Sequence, residues 1–244
     1  MELTILWSWT CVPSLDRSAS ASFLNIWNLN ILIDCWTWTL HQLLRAGIDY
    51  KEIDVIFVTH FHPDHVSELN PILQALSWTP WFNRNKKLTL IWPQGFKDFC
   101  SQQVHSKTRL NTFDVEIREI SEWVLFDWLQ VSYIKTIHSP ESIAYRFTHV
   151  NKSIVFTWDC DYNETIVEFS READILLIEC SFPNNMKVAW HLVSNECWII
   201  GKKANVWKMI LNHLYPIEQD TRLDEAKKIF PNTILAEDLL KINL

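Results

Sequence analysis

One short run constrains this chain more than any other feature: Thr59-His60-Phe61-His62-Pro63-Asp64-His65. It gathers three imidazoles and a carboxylate within six positions. It follows the apolar, β-rich stretch Asp54–Val58, which reads as a buried strand. His60 and His62 are two apart and share a face of extended chain. Asp64 and His65 can face a second point as the chain turns into a helix. Neutral imidazole and carboxylate suit zinc, iron or manganese. A lone histidine is usually a core or surface residue, but four candidate ligands in this spacing point to metal.

The surrounding pattern alternates strands and helices. Leu3–Leu6, Phe23–Ile26 and Leu29–Ile33 read as strands, and Thr39–Ala46 as a helix capped at Gly47. Leu69–Leu76 reads as a helix, Leu88–Ile91 as a strand and Phe96–Val104 as a helix. Strands are expected at Val115–Ile120, Leu129–Ile137, Ile143–Thr148, Ile154–Phe156, Ile175–Ile178, Lys208–Leu211 and Ile234–Ala236. Helices are expected at Ser194–Lys203 and Asp220–Phe230. Strands in two groups, each followed by helices, predict an α/β fold. The expected architecture is a four-layer αββα sandwich of two mixed sheets face to face, forming one domain over residues 1–244.

Composition excludes several classes. A net charge of −7 gives no broad attraction to nucleic acid. A local basic cluster, for example Arg84, Lys86 and Lys87, reads as a solvated loop. No run of about 18 apolar residues suggests a membrane span, and the start Met1-Glu2-Leu3-Thr4 lacks a signal-peptide pattern. The six cysteines are scattered without a Cys-x-x-Cys pair, as expected of reduced, mostly buried thiols in a cytoplasmic protein.

Glycine is the anomaly. Average usage predicts roughly 17 glycines in a chain of this length. There are 3, beside 14 tryptophans, and the two together reach that figure. Trp7, Trp9, Trp36, Trp38, Trp158 and Trp190 fall at strand-to-loop corners, where positive φ favours glycine and resists an indole. The hypothesis is that the tryptophans are glycines encoded by UGA, a codon that some bacterial codes read as glycine and others as tryptophan. An aromatic-rich core or a carbohydrate-binding surface is the competing explanation.

The His-x-His-x-Asp-His motif resembles that of the metallo-β-lactamase superfamily, and the later segments resemble its ribonuclease Z-like branch. Those segments are Ile137-His138-Ser139-Pro140-Glu141-Ser142, Ala144-Tyr145-Arg146-Phe147, Thr157-Trp158-Asp159, Ile178-Glu179-Cys180-Ser181-Phe182-Pro183, Trp190-His191-Leu192 and Leu211-Asn212-His213-Leu214-Tyr215-Pro216. Trp158 and Trp190 stand where that family has glycine. The resemblance implies a two-metal centre. His60, His62 and His138 would hold one ion; Asp64, His65 and His213 would hold the other; Asp159 would bridge them. The ions are expected to be zinc, with manganese or iron as alternatives. Two such ions can bring the pKa of a shared water toward about 7 and clamp the attacking and leaving oxygens of a phosphoryl group. Asp64 and His191 are the expected catalytic residues, His191 contacting phosphate or protonating the leaving oxygen. From the residues alone, His138 is equally well a strand-end histidine, and a loop histidine is the competing reading of His191. Glu179 can orient His191 or merely end its strand. Tyr145 and Arg146 can line the pocket or form an exposed strand pair.

Ribonuclease Z carries a transfer-RNA-gripping arm between the third histidine and the bridging aspartate. Here His138 and Asp159 are 21 positions apart, and two strands fill the interval. The expected activity is therefore a phosphodiesterase without that arm, acting on a small nucleotide or RNA, cytoplasmic and homodimeric. The alternatives are transfer-RNA 3′-processing endoribonuclease, a glyoxalase II-like thioesterase, or, if the tryptophans are genuine, a non-catalytic binding module.

Overall fold

The computed structural model describes residues 1–12, 14–15, 17–95, 112–120, 124–126, 128–217 and 219–244, without the side chains of 124–126, 219 and 220. The helix expected at Phe96–Val104, Cys100 and Trp123 lie outside the described residues. The chain divides into two compact units. The first comprises Met1–Trp7, Ser20–Ser121 and Asp238–Asn243; the second comprises Ser8–Ala19, Glu122–Glu237 and Leu244.

The first unit is built on a seven-stranded mixed sheet. Its strands are β1 (Glu2–Trp7), β2 (Ala21–Ile26), β3 (Leu29–Ile33), β4 (Val55–Phe57), β5 (Leu88–Trp92), β6 (Val115–Glu119) and β14 (Leu240–Asn243). They lie in the order β14-β1-β2-β3-β4-β5-β6. The β14/β1, β1/β2 and β2/β3 pairs are antiparallel, and the remaining three are parallel. β4 and β5 are apolar almost throughout and buried along their length, as parallel strands covered on both faces must be. Helix α1 (Thr39–Arg45) closes at Gly47 with a φ of 77°, the left-handed cap its sequence predicts. Pro63 opens the single turn α2 (Pro63–Val66) at a position where its missing N–H costs nothing. Helix α3 (Leu69–Trp78) buries Leu69, Ile72, Leu73 and Leu76, one helical face, against Leu32, Ile56 and Leu90 of the sheet.

The second unit repeats the plan. Its strands are β7 (Val124–Phe126), β8 (Leu129–Lys135), β9 (Ile143–His149), β10 (Lys152–Phe156), β11 (Ile175–Glu179), β12 (Lys208–Asn212) and β13 (Thr233–Leu235). They lie in the order β13-β12-β11-β10-β9-β8-β7, with three parallel pairs followed by three antiparallel ones. The helices are α4 (Glu164–Phe169), α5 (Ser194–Lys203) and α6 (Gln219–Lys227). Ile166 of α4 and Cys197 and Ile200 of α5 join Val155, Leu176, Ile178 and Leu211 in its core.

Three elements were not expected. β7 and β14 are short, and β14 is half-exposed with Lys241 in its middle, so it lacks an apolar signature; its pairing with β1 defines it. α4 is six residues with β-branched Ile166 and Val167, weak helix formers. The local signal for α4 is Asn163, whose side chain accepts the Ile166 amide at 2.9 Å and caps the first turn.

The basic cluster is solvated only in part, at Lys86 and Lys87. Arg84 is buried and donates to the carbonyls of Lys51 and Ile53 at 2.9 and 2.6 Å. Lys86 pairs with Glu52 and Asp54, and Lys87 with Glu116. Tyr145 is wholly buried and Arg146 braces the carbonyls of Phe169 and Arg171, so packing and chain bracing account for this strand pair.

Among the described residues eleven other than glycine have positive φ, and five of them are tryptophans: Trp27 (55°), Trp38 (73°), Trp81 (57°), Trp158 (44°) and Trp190 (70°). Only a few per cent of such residues occupy this region, and bulky side chains are outliers there. Trp27-Asn28 is the two-residue connection between β2 and β3, with positive φ at its first position, where Gly-Asn is a preferred pair. Trp7 and Trp9 depart from expectation. Trp7 ends β1, and both are buried rather than held at open turns.

Candidate metal centre

In open α/β sheets, ligands collect beyond the carboxyl ends of parallel strands. The polar residues singled out by sequence fall at such ends in each unit. In the first, Asp34 follows β3, and Thr59 and His60 come just after β4. In the second, Asp159 follows β10, Glu179 ends β11, Ser181 comes two residues later, and His213 follows β12. β8 and β10 are both antiparallel to β9, so they run in the same sense, and His138 emerges at the same edge as Asp159.

In the first unit His60 is wholly buried, and its Nε2 lies 3.0 Å from Nδ1 of His62. Nδ1 of His60 is 3.1 Å from the Thr59 hydroxyl. The Nδ1–H of His65 donates to Asp34 Oδ2 at 2.7 Å. Asp34 also accepts the Thr59 amide at 2.9 Å and its hydroxyl at 2.8 Å. Burial pushes the Asp34 carboxyl up, against the opposing pull of His65 and the Thr59 donors. With Nδ1 engaged, His65 directs Nε2 toward Asp64, whose Oδ2 lies 3.8 Å away. Asp34 was missed in the sequence. Its only signal is a single acid ending the apolar strand Ile31-Leu32-Ile33, in a left-handed conformation with a φ of 56°.

In the second unit Asp159, nearly buried, stands between two imidazoles. Nε2 of His138 lies 3.4 Å from its Oδ2, and Nε2 of His213 lies 3.1 Å from its Oδ1. Each histidine is held from behind: Nδ1 of His138 donates to the Trp190 carbonyl at 3.2 Å, and Nδ1 of His213 is 3.1 Å from the Ser181 hydroxyl. Nδ1 of His191 lies 3.0 Å from Oε1 of the fully buried Glu179. Glu179 further accepts the Cys160 amide at 2.7 Å and the Leu192 amide at 3.2 Å, so it orients His191 as well as ending its strand. Ligand atoms of Asp159, His191 and His213 lie within 4.8 Å of one another. The loop bearing His191 is fastened by Lys187, which donates to Asp161 (2.5 Å), Glu196 (2.7 Å) and the His191 carbonyl (2.6 Å). Burial raises the Asp161 carboxyl, but Lys187 and the Tyr162 and Trp190 amides outweigh it and hold it below its ordinary range.

This donor set fits a divalent cation. Histidine ligates through a neutral nitrogen, and the partner of its other nitrogen decides which one carries the lone pair. His65, His138 and His213 all have Nδ1 engaged and Nε2 turned to a carboxylate. Cysteine is a poor alternative ligand here. Burial, reinforced by neighbouring carboxylates, pushes the thiols of Cys35 and Cys160 well above their ordinary value, and burial with Cys180 beside it does the same to Cys197. Thiolate is the reactive form. Iodoacetamide at pH 8 should therefore label exposed Cys11 in the native protein and spare Cys35, Cys160 and Cys197 until it unfolds, as peptide mass spectrometry would read.

Arg222 braces the site from behind. Wholly buried, it donates to the carbonyls of Cys180 (3.1 Å), Ser181 (2.6 Å) and Tyr215 (2.5 Å), fixing the loops after β11 and β12. Replacing it with Met strands three carbonyls. The expected cost is about 3 kcal/mol in urea unfolding.

A family model described as Anti-Pycsar protein Apyc1 matches residues 15–228, a span holding every residue named above as a candidate ligand. The chain belongs to that family. Among its curated relatives, the ribonuclease Z of Archaeoglobus fulgidus is 25% identical, over 100% of this chain and 97% of that one. The probable metallo-hydrolase YhfI of Bacillus subtilis is 24% identical, over 94% of each. The fold is that of the solved metallo-β-lactamase proteins. The crystal structure of YhfI superposes with a TM-score of 0.87 at 21% identity, over 99% of both chains. Human tRNase Z, short form, gives 0.81 at 22% identity, over 100% of this chain and 99% of that one. The alignment of this family member with the A. fulgidus enzyme runs over 302 positions, longer than its own 244 residues, whereas with YhfI it runs over 234. Among the described residues no helix is long and apolar enough to cross a membrane.

Proposed function

We propose that residues 1–244 act as one hydrolase domain, a two-metal phosphodiesterase for a small nucleotide substrate. The observation that carries this reading is the pair His138 and His213, each presenting Nε2 to a different oxygen of Asp159. A carboxylate flanked in this way suits a bridge between two ions. In this reading His60, His62 and His138 hold one ion, Asp64, His65 and His213 the other, and Asp159 both. Imidazole and carboxylate favour zinc, and manganese or iron also accept them. When bound, the ions supply Lewis acidity and a nucleophile at neutral pH. The chain's own residues do the rest. Glu179 accepts the Nδ1–H of His191, so Nε2 of His191 faces the substrate and gives a proton to the leaving oxygen. Asp64 orients the attacking water.

The small substrate follows from what lies between His138 and Asp159. That interval is taken up by β9, β10 and the turn at Val150-Asn151, leaving no room for an RNA-gripping arm. Ribonuclease activity is the second reading, supported by the relatives named ribonuclease Z. A cytoplasmic homodimer belongs to the same proposal: the scattered cysteines, read as reduced thiols, favour the cytoplasm, and sedimentation equilibrium checks the dimer. The deciding experiment is hydrolysis of bis-p-nitrophenyl phosphate by the metal-loaded protein, after chelation, and after zinc is returned. Turnover should vanish and reappear. Equal turnover without metal overturns the proposal, and faster cleavage of precursor transfer RNA than of small diesters selects the second reading.

A further inference from the structure

We propose that Ser181 is a positioning residue that sets His213 for metal binding and ties it to the carboxylate holding His191. The inference rests on the two-metal reading and adds a residue to it. Ser181 is wholly buried, two residues beyond the end of β11. Its backbone carbonyl is gripped by Arg222 at 2.6 Å, which fixes where its hydroxyl sits.

A hydroxyl has one proton to give and two lone pairs to offer. The nearest acceptor to Oγ is Glu179 Oε2 at 2.6 Å, a carboxylate, and it takes the proton. The His213 carbonyl, at 3.3 Å, is the weaker competitor. Ser181 therefore meets Nδ1 of His213, 3.1 Å away, as an acceptor. His191 is 3.3 Å from the same oxygen, but its Nδ1 lies closer to Glu179 Oε1, at 3.0 Å, and donates there. The consequence for His213 is definite. Its proton must sit on Nδ1, which leaves the lone pair on Nε2, the nitrogen 3.1 Å from Asp159 Oδ1. A serine donating to Nδ1 would impose the other tautomer and put a hydrogen where a cation must bind. Glu179 thus orients His191 directly and His213 through one hydroxyl. His213 has a left-handed backbone, with a φ of 53°, a conformation that persists only where the surroundings hold it.

The test is a zinc titration with a chromophoric competitor, comparing the parent, Ser181→Ala and Ser181→Thr in the folded form of the chain. In the parent two ions should bind. In Ser181→Ala one should bind about 10–100-fold more weakly and the other as before, with turnover recovering in excess zinc. Ser181→Thr should restore both. A general loss of structure would weaken both ions and would not be rescued by a hydroxyl. Should Ser181→Ala fail to fold, the near-isosteric pair Ser181→Thr and Ser181→Val makes the same comparison. Parent-like binding of both ions in Ser181→Ala, or equal weakening of both, overturns the proposal. A parent that binds fewer than two ions overturns the two-metal reading itself.

Discussion

A protein made literally from this sequence should precipitate or melt at low temperature, and the same chain with glycine at all fourteen tryptophan positions should be soluble and bind metal. The energetic case lies in the backbone. Each indole residue held at positive φ costs about 1–3 kcal/mol. Five such sites, at Trp27, Trp38, Trp81, Trp158 and Trp190, together cost about 5–15 kcal/mol, the size of a domain's whole net stability. Solvent exposure compounds the problem. Trp81 is fully exposed, and Trp27, Trp38 and Trp190 are each more than half exposed, so their large apolar surfaces offset none of the strain by burial. Trp158 and Trp190 directly precede Asp159 and His191, so strain there falls on the residues meant to do chemistry.

Among the described residues the remaining tryptophans do not carry this signature. Trp92 lies buried within β5, and Trp198 within α5. Glycine inside an element costs roughly 0.5–1 kcal/mol relative to alanine, so the structure argues for glycine at five sites and the composition for the rest. A variant with glycine at those five sites alone should recover most of the lost stability. Val150 takes the equivalent turn position in the β9–β10 hairpin with a φ of 55°, and nothing in the structure explains why a branched residue stands there. Circular-dichroism melts of the three proteins decide the matter, as does the gene: UGG at most of the fourteen codons ends the hypothesis, and so does a cooperative, active literal protein.

Much of the candidate site was legible because its ligands come in local, chemically unusual runs. His60 to His65 declare themselves by spacing. Ser194–Lys203 and Leu29–Ile33 match their elements residue for residue. The supporting residues were not legible. Asp34 and Ser181 act through single hydrogen bonds to histidines 31 and 32 positions away, and no local pattern encodes such a pairing. Glu68 is a similar case: it accepts the Trp38 amide at 2.9 Å and serves the start of α1 from a distant part of the chain. β14 is defined by β1, its partner at the opposite end of the sequence.

Asp64→Ala should leave the fold largely intact while removing most phosphodiester hydrolysis. Asp64 sits in the single turn α2, outside the apolar core of its unit, with its side chain mostly buried. Trimming one short side chain in a single helical turn is expected to change stability by about 1 kcal/mol. The electrostatic consequence is larger. Nε2 of His65 loses the carboxylate it faces, and the proposed second ion loses one of its two acidic ligands. A loss of about 4 kcal/mol of transition-state stabilisation corresponds to a fall in turnover on the order of 10^3-fold. Asp64→Asn, which keeps the shape and removes the charge, should fall nearly as far. Excess zinc should not restore either variant, because the water-orienting oxygen is gone as well as the ligand; this separates Asp64 from Ser181, whose loss added zinc should relieve. Near-full turnover in Asp64→Ala, measured on bis-p-nitrophenyl phosphate with metal content checked by mass spectrometry, would show that the reaction does not use this cluster.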